Sequence, residues 1–491
     1  MKRISCCFAC GVVLLLGSLS ARAPEPPTAK MNVLFIFVDD LRPTLGCYGD
    51  SIAITPNIDK LAGEGVLFSR AYCQQAVCNP SRASILTGLR PDQDGVTDLA
   101  THFREKIPDV VTLPQLFKSN GYLSIDVGKI FHDARFAQDS ASWSVPPIYN
   151  YNAKADQYFL PEHKHGGKAT ASEFADVPDD YYTDGKIADA SIAWLRRLKA
   201  SGQPFFLAVG FKKPHLPFCA PKKYWDLYST SEFTSRLNDK KPVNAPALAF
   251  HHWQELRGYT DIPDSGSLTL DKEASLRHGY YACVSFVDAQ LGRVIRELEA
   301  LHLSRNTLIV FCGDNGFHLG EQDLWCKSTN FELDDRVPFM MSVPGVSKAN
   351  VRTDAMVELV DIYPTVVDLC GVKPAGPLSG ISLRPLLQNP SMKWDKVAFS
   401  QFVRPYQALF SKFSVKAREM GYSVRTKDWR FTAWYDLKGD TVAYKELYHM
   451  TGNDIERVNL ADDDRYRSVQ TRLMSLIRAY KDKAYDRLNS L

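Results

Sequence analysis

Three continuous runs of apolar residues predict buried strands. They are Asn32–Val38, Phe205–Phe211 and Thr307–Cys312. Runs that do not alternate apolar with polar positions are typical of strands covered on both faces, as in a parallel sheet. Between them, apolar faces with the spacing of amphipathic helices extend over residues 187–198 and 284–298. Buried strands that alternate with such helices predict an α/β domain.

The pattern changes after about residue 390. Met420–Thr426 and Trp429–Asp436 predict two short strands joined by a tight turn. Apolar positions at Val469, Leu473 and Tyr480 follow one face of a final helix. Strands joined by a tight turn, followed by a helix, predict a smaller α+β subdomain. We therefore expect an α/β domain at residues 31–390 and a C-terminal subdomain at residues 391–491.

The N-terminal residues have the pattern of a secretory signal peptide. Two basic residues at positions 2 and 3 precede an apolar stretch over residues 4–19, and Ala21 and Ala23 flank a predicted cleavage point. The alternative is a membrane anchor, which needs roughly 20 apolar residues to span a bilayer. We predict a signal peptide at 1–23, a proline-containing linker at 24–30, no stable membrane span and a secreted or periplasmic location.

Charge and cysteine usage exclude several classes of function. The formal net charge of +3 is matched by Lys2, Arg3 and Arg22 alone, so no basic surplus remains for binding nucleic acid. The cysteines beyond the predicted signal peptide form no C-x-x-C pair, which excludes a zinc ribbon and a disulfide-rich scaffold. One or two disulfides stay open at this point.

Carboxylates follow two of the predicted strands directly. Asp39 and Asp40 come after the first strand, and Asp314 and Asn315 follow the strand that begins at Thr307. Ligands in open α/β sheets bind beyond the carboxyl ends of the strands. Three carboxylates and an amide oxygen are hard ligands, which suit Ca²⁺ or Mg²⁺ better than Zn²⁺. Taken separately, each pair also fits a polar loop or a tight turn.

A third segment with chemical potential extends from Cys78 to Gly88 and reads CNPSRASILTG. It predicts a helix that begins just after Cys78, with Pro80 in the first turn and Ser81 at a capping position. A helix N-terminus and the guanidinium of Arg82 both favour an anion beside Cys78. The alternatives are a buried structural cysteine and a thiolate nucleophile.

The segment Cys78–Gly88 matches in full the C-x-P-S-R-x-x-x-L-T-G motif of the type I, formylglycine-dependent sulfatases. The chain resembles this family over about residues 31–480, and its other family motifs stand in family order. Within the family it is most similar to the iduronate-2-sulfatase group. That likeness is carried by Gly128–His132, Lys213–Phe218, Ser400–Pro405 and Met420–Thr426.

This resemblance implies the alkaline-phosphatase-like sulfatase fold, with a large mixed sheet between helices and a smaller C-terminal subdomain that has a short antiparallel sheet. It also implies that a maturation enzyme oxidises Cys78 to Cα-formylglycine. The expected ion is Ca²⁺, with Mg²⁺ as the alternative. Some members of the family have histidine where this chain has Asn315, but both residues supply a metal ligand. The implied metal ligands are Asp39, Asp40, Cys78, Asp314 and Asn315.

The resemblance also implies roles for the catalytic residues. Arg82 orients the hydrated aldehyde, and Lys129 and Lys327 bind sulfate oxygens as point charges. His215 protonates the leaving oxygen, and His132 takes a proton when sulfate is released. The implied catalytic set is therefore Cys78, Arg82, Lys129, His132, His215 and Lys327.

The implied function is a sulfuric ester hydrolase that removes 2-O-sulfate from a hexuronic acid in heparan or dermatan sulfate fragments. A sulfated glycosaminoglycan oligosaccharide is then the expected partner, with Arg404 and Arg425 expected to recognise the uronate carboxylate. His318 is expected to lie behind the metal ligands. The enzymatic alternatives are a sulfatase for another sugar position and a phosphonate monoester hydrolase. The alternative from another class is a sulfated-glycan-binding protein without activity.

Overall fold

The computed structural model describes residues 30–132, 137–148, 158–163, 169–235, 237, 240–406, 417–451 and 455–488. The predicted signal peptide at 1–23 lies outside the described residues, as does the linker up to residue 29. Among the described residues, no helix has the length and apolar character that crossing a membrane requires.

Strands and helices alternate through the first part of the chain and give way to consecutive strands near its end. The strands are β1 (Asn32–Val38), β2 (Val66–Tyr72), β3 (Leu123–Gly128), β4 (Ser172–Ala175), β5 (Phe205–Phe211), β6 (Phe218–Pro221), β7 (Thr307–Gly313), β8 (His318–Leu319), β9 (Trp325–Cys326), β10 (Arg336–Ser342), β11 (Val351–Glu358), β12 (Ala398–Arg404), β13 (Glu419–Arg425), β14 (Trp429–Asp436) and β15 (Thr441–His449). The α-helices are α1 (Pro56–Gly63), α2 (Cys78–Thr87), α3 (Pro91–Asp94), α4 (Leu113–Ser119), α5 (Thr183–Ser201), α6 (Lys222–Trp225), α7 (Leu270–Ala300), α8 (Glu332–Asp335), α9 (Ile362–Cys370), α10 (Arg384–Gln388) and α11 (Arg467–Leu488).

A seven-stranded mixed sheet forms the centre of the molecule, in the order β11-β2-β10-β7-β1-β5-β3. The neighbours β7, β1, β5 and β3 are all parallel. Strand β10 runs antiparallel to both β7 and β2. The carboxyl ends of four adjacent strands therefore meet at one edge, where an open α/β sheet binds its ligands.

Helices cover both faces of this sheet. Alternate residues of β1 separate into two cores: Leu34 and Ile36 pack with α1, α5 and α7, whereas Val33 and Phe35 pack with α2, α4, α9 and α10. A strand covered on both faces needs apolar residues at every position. The continuous runs predicted as buried strands are confirmed as β1, β5 and β7. The predicted α/β class is confirmed as well.

The C-terminal residues form a four-stranded antiparallel sheet in the order β12-β13-β14-β15. Helix α11 packs on one face of it through Leu473, Ile477 and Tyr480. The two strands predicted around residues 420–436 and the final helix are therefore confirmed. The limits of the two domains at residue 390 stay a prediction.

Candidate active site

The polar residues that follow the central parallel strands converge at one edge of the sheet. Strand β1 leads into Asp39, β7 into Asp314, and β3 into Lys129. His215 follows β5, and Lys327 follows the short strand β9. The structure thus brings together residues that lie far apart in the sequence, and α2 adds Cys78 to them.

Three fully buried carboxylates form the centre of this site. Asp39, Asp40 and Asp314 each offer an oxygen, and these atoms lie within 4.8 Å of one another. The Asp40 backbone adopts a left-handed φ of 60° and donates its N–H to Asp314 Oδ1 at 3.0 Å. Burial raises the pKa of Asp314 to about 6, and the neighbouring carboxylates add to the rise against the opposing effect of Arg82. A divalent cation would relieve this repulsion.

Asn315 supports the same conclusion about a cation. Its amide nitrogen donates to Asp40 Oδ1 at 2.8 Å and to Gly316 O at 2.9 Å. Its amide oxygen is buried and accepts no hydrogen bond within the part of the chain that the structure describes. An unsatisfied oxygen beside three carboxylates fits a hard cation such as Ca²⁺ or Mg²⁺.

Helix α2 begins at Cys78 itself, with Val77 at the N-cap and no side-chain capping bond. The expected capping role of Ser81 is therefore wrong, because its hydroxyl donates to Asp314 O at 2.5 Å instead. Cys78 Sγ lies 3.3 Å from Asp39 Oδ1. Burial raises the pKa of Cys78 well above its usual value, and Asp39 adds to the rise. A protonated thiol is a weak nucleophile, which disfavours the thiolate alternative.

Arg82 is fully buried one helical turn after Cys78, and its guanidinium group contacts residues that follow three different strands. It donates from Nε to Asp314 Oδ2 at 2.7 Å and from Nη2 to Asp39 Oδ1 at 3.0 Å. Its Nη1 donates to the carbonyl oxygens of Lys129 and Ile130. Because these donors are already engaged, Arg82 fixes the carboxylates and the β3 end in place.

Two lysines each place an ammonium group against one of the adjacent carboxylates Asp39 and Asp40. Lys129 Nζ lies 2.5 Å from Asp39 Oδ2, and Lys327 Nζ lies 2.7 Å from Asp40 Oδ2. Cys326 and Ser328 flank Lys327 with φ values of 72° and 99°. Such left-handed backbone at residues other than glycine concentrates at functional sites. Together the two ammonium groups can hold an anion beside Cys78.

The backbones of the parallel neighbours β3 and β5 approach closely at the end of β3, just before Lys129. A Cβ atom on Gly210 would lie 2.2 Å from Lys129 O, and one on Gly128 would lie 2.2 Å from Gly210 O. Gly128 also has a φ of 110°. Only glycine fits both positions, so these two residues set the path by which Lys129 enters the site.

The two predicted catalytic histidines have different environments. Burial lowers the pKa of His132 well below its usual value, and the charge of Lys129 adds to the effect, so the ring is neutral. His215 Nδ1 is 2.5 Å from Leu216 O. Since a carbonyl oxygen only accepts, Nδ1 carries a proton there. His215 Nε2 faces the site, 3.7 Å from Asp40 Oδ2.

Three further residues contribute to the site and were not predicted from the sequence. Glu255 contacts both His215 Nε2 at 3.1 Å and Lys327 Nζ at 2.8 Å. Burial lowers the pKa of Lys212 to about 7, with Lys213 and then Lys129 adding to the fall. Glu255 lies in an irregular segment without a motif, so the sequence gives no signal for it, whereas Lys212 directly follows a predicted strand.

Tyr406 is the third missed residue, and it comes from the end of β12 in the small sheet. Its hydroxyl is buried and has no hydrogen-bond partner among the described residues. Burial raises its pKa, against the opposing effect of the Lys327 ammonium group. The C-terminal sheet therefore contributes a polar group to the wall of the site.

The expectation that Arg404 and Arg425 recognise a uronate is wrong. Arg404 donates from Nη2 to Ser328 O at 2.7 Å and from Nε to Leu248 O at 2.7 Å. Arg425 donates from Nε to Glu332 Oε2 at 2.9 Å. Both arginines are buried. Their guanidinium groups hold the small sheet against the rest of the protein.

His318 is buried away from the carboxylate cluster. Its Nδ1 lies 2.5 Å from Asp334 Oδ1, and its Nε2 lies 3.0 Å from Gln322 Oε1. Burial opposes a charge on this ring, but Asp334 raises its pKa overall. His318 thus supports the segment behind the site. The eight described cysteines are all thiols in this structure.

Comparisons with known proteins show which family the chain matches. The sequence model of the sulfatase family matches residues 31–372, and that of the N-sulphoglucosamine sulphohydrolase C-terminal region matches residues 320–483. Iduronate 2-sulfatase of Mus musculus is 34% identical over 532 residues, covering 92% of this chain and 96% of that protein. Iduronate 2-sulfatase of Homo sapiens is 33% identical over 505 residues, covering 89% and 92%.

Two solved structures have the same fold. One, in complex with its substrate D-glucosamine-2-N,6-O-disulfate, has a TM-score of 0.74 at 24% identity and covers 93% of this chain and 98% of its own. The other is the phosphonate monoester hydrolase of Agrobacterium radiobacter, with a TM-score of 0.73 at 22% identity and coverage of 93% and 96%. The chain therefore has the alkaline-phosphatase-like fold, with a large mixed sheet between helices and a small antiparallel sheet.

Proposed function

The chain belongs to the sulfatase family and is a sulfuric ester hydrolase, and we propose that it removes 2-O-sulfate from a hexuronic acid in glycosaminoglycan fragments. The observation that carries the proposal is the buried cluster in which Cys78 lies beside Asp39, between the ammonium groups of Lys129 and Lys327. The two iduronate 2-sulfatases that match most of the chain support the choice of sugar.

The proposal has three further parts. A maturation enzyme converts Cys78 to Cα-formylglycine, which fits a buried thiol whose pKa is raised too far for it to act as a thiolate. Asp39, Asp40, Asp314 and Asn315 hold Ca²⁺, with Mg²⁺ as the alternative. The protein acts outside the cytoplasm, in the secreted or periplasmic state that the N-terminal pattern predicts.

Different residues of the chain have different roles in ester hydrolysis. Lys129 and Lys327 bind oxygens of the sulfate group as point charges. When bound, the divalent cation supplies Lewis acidity that draws electron density from the sulfate. Arg82 keeps Asp39 and Asp314 in place while charge develops, because its donors are committed to them. Side chains that need no rearrangement lower the cost of reaching the transition state.

Three proton transfers accompany the reaction. The hydrated aldehyde at position 78 would supply two hydroxyl groups. One would attack sulfur as its proton passes to Asp39, whose Oδ1 lies 3.3 Å from Cys78 Sγ. As the bond from sulfur to the sugar oxygen breaks, His215, which then holds a proton on each ring nitrogen, gives its Nε2 proton to that oxygen, which keeps the electron pair. His132, neutral because of its burial, then takes a proton from the second hydroxyl as the aldehyde re-forms and sulfate leaves.

A panel of disaccharides tests the proposed substrate. Each carries one sulfate, placed at the uronate 2-position, the glucosamine 6-position or the glucosamine nitrogen. We expect the kcat/KM of the metal-loaded protein for the 2-O-sulfated uronide to exceed the others by about 100-fold or more, since a site built for one hydroxyl geometry rejects misplaced groups strongly. Faster release from either glucosamine position would overturn the choice of sugar. Binding without any sulfate release would favour the inactive glycan-binding alternative.

Alanine variants of His215 and His132 should slow different steps in single-turnover experiments. His215→Ala should slow a sugar sulfate by roughly 10²–10⁴-fold, because an alkoxide needs a proton to leave. The same variant should slow an aryl sulfate far less, because a phenolate leaves without help. His132→Ala should release the alcohol at a near-normal rate but retain sulfate on the protein. The measurement is alcohol release against sulfate release over time for each substrate.

His302 provides a matched control, since it is exposed outside the site. His302→Ala should leave both rates unchanged. Equal losses of rate by His215→Ala on the two substrates, with chemistry limiting, would place the acid elsewhere. Lys213, Lys327 and Glu255 would then be tested next.

A further inference from the structure

Glu255 contacts both Lys327 and His215, the two groups that would face an incoming ester. Its Oε2 lies 2.8 Å from Lys327 Nζ and its Oε1 lies 3.1 Å from His215 Nε2. Its side chain is 20% exposed, whereas Asp40, which the same lysine contacts, is fully buried. Any ester oxygen that reaches Lys327 and His215 therefore lies next to this carboxylate.

The contacting charges in the site are closely balanced. Three strand-end carboxylates are each in contact with a cation, and Glu255 adds a fourth carboxylate to a lysine that is already paired. His215 contacts Glu255 through Nε2, and in the protonated form that acts as the acid it is a fourth cation, so the charges of these described groups cancel. A divalent cation at the carboxylate cluster would leave the site with a net positive charge, which Glu255 lowers by one unit. The three pairs are Asp39–Lys129, Asp40–Lys327 and Asp314–Arg82.

Neighbouring bases alter this balance little at pH 8. Lys212 has a pKa lowered to about 7, and burial keeps His132 neutral. Lys213 donates to the carbonyl oxygens of His215 and Pro217, and Asp184 lies beside it and offsets its charge. A sulfate monoester is a monoanion. A phosphate monoester is a dianion above its second pKa of about 6.

We propose that Glu255 makes the site selective for charge, so that it favours singly charged sulfate monoesters and rejects doubly charged phosphate monoesters. This inference rests on the proposed sulfatase activity. At an effective dielectric constant of about 20, one extra charge about 5 Å from a carboxylate lowers affinity by roughly 10²-fold. Solvent around the partly exposed Glu255 reduces that to about tenfold.

Three ligands with the same aryl group separate charge from shape: an aryl sulfate, an aryl ester of methylphosphonic acid and an aryl phosphate. The first two carry one negative charge at pH 8 and the third carries two. We would measure their binding by calorimetry in a metal-loaded Cys78→Ala background, where turnover does not interfere. Glu255→Gln in that background should raise the affinity for the phosphate relative to the sulfate about tenfold. The phosphonate ester should follow the sulfate.

Two further variants control for the substitution itself. Glu255→Asp keeps the charge and should retain the preference for sulfate. Glu297→Gln removes a carboxylate of similar exposure, 18%, which contacts Arg196 at 2.8 Å on the outside of α7, and should change nothing. The inference is overturned if Glu255→Gln leaves the ratio unchanged, or if the phosphonate ester gains as much as the phosphate.

Kinetics on the unsubstituted Cys78 protein distinguish failure of this inference from failure of the proposed function. If the parent protein releases sulfate from its substrate but Glu255→Gln leaves the preference for sulfate over phosphate intact, only the role of Glu255 is wrong. If the converted, metal-loaded parent protein releases no sulfate from any ester, the proposed function itself is wrong.

Discussion

Cys78→Ala is expected to lower turnover of the 2-O-sulfated uronide by at least about 10⁴-fold, because it removes the residue from which the nucleophile is made. That loss corresponds to about 5.5 kcal/mol of transition-state stabilisation. The fold should persist, since the substitution deletes one sulfur atom and costs about 1 kcal/mol of stability. The measurements are kcat/KM on the disaccharide and the midpoint of thermal unfolding.

A second thiol provides the control for this variant. Cys370 is partly exposed at the end of α9, outside the site. Cys370→Ala should keep full activity. Cys78→Ser should stay inactive when the producing cell has a maturation enzyme specific for cysteine, since serine is then not converted to the aldehyde. Turnover at the parent rate by Cys78→Ala or Cys78→Ser would contradict the covalent mechanism.

Asp314→Ala is expected to remove the metal ion and activity together. Asp314 contributes one of three clustered carboxylates, and its loss also frees Arg82 Nε from its partner. We expect less than about one tenth of the parent metal content, and activity lower by about 10³-fold or more, because hard cations are bound through several charged oxygens at once. Asp39→Ala should behave in the same way. Elemental analysis of the purified proteins gives the metal content directly.

Asp288 allows a matched comparison, since it is a buried carboxylate that accepts hydrogen bonds from the backbone N–H groups of Asn57 and Ile58 at the start of α1. Asp288→Asn should lose stability but keep its metal and its specific activity. Asp314→Asn should lose the metal although it preserves shape. One tightly bound Zn²⁺ in the parent protein would contradict the oxygen-ligand interpretation.

The sequence predicts the site well where chemistry follows directly from a buried strand. Asp39 and Asp314 could be placed together because a continuous apolar run ends just before each. Strands β1 and β7 are parallel neighbours, so their carboxyl ends meet. The motif at Cys78 supplied the third part of the site through its resemblance to a family, since its local pattern alone left a structural cysteine open.

The sequence predicts less where a role depends on a partner far along the chain. Ser81 looked like a helix cap, but its hydroxyl is used by Asp314 O. Arg425 looked available to a ligand, but Glu332 of α8 occupies its guanidinium. Glu255 and Tyr406 lie in irregular segments, where no periodicity indicates which side chain faces the site. Such contacts are set by tertiary packing and not by local spacing.

The mass of the peptide that contains residue 78 shows directly whether Cys78 has been converted to formylglycine. The protein should be produced in cells that have the maturation enzyme, digested, and treated with a hydrazide reagent that labels aldehydes. We expect an aldehyde at position 78 in the active protein, with activity rising in proportion to the labelled fraction. Full sulfatase activity in protein whose residue 78 is entirely an unmodified cysteine would contradict the account.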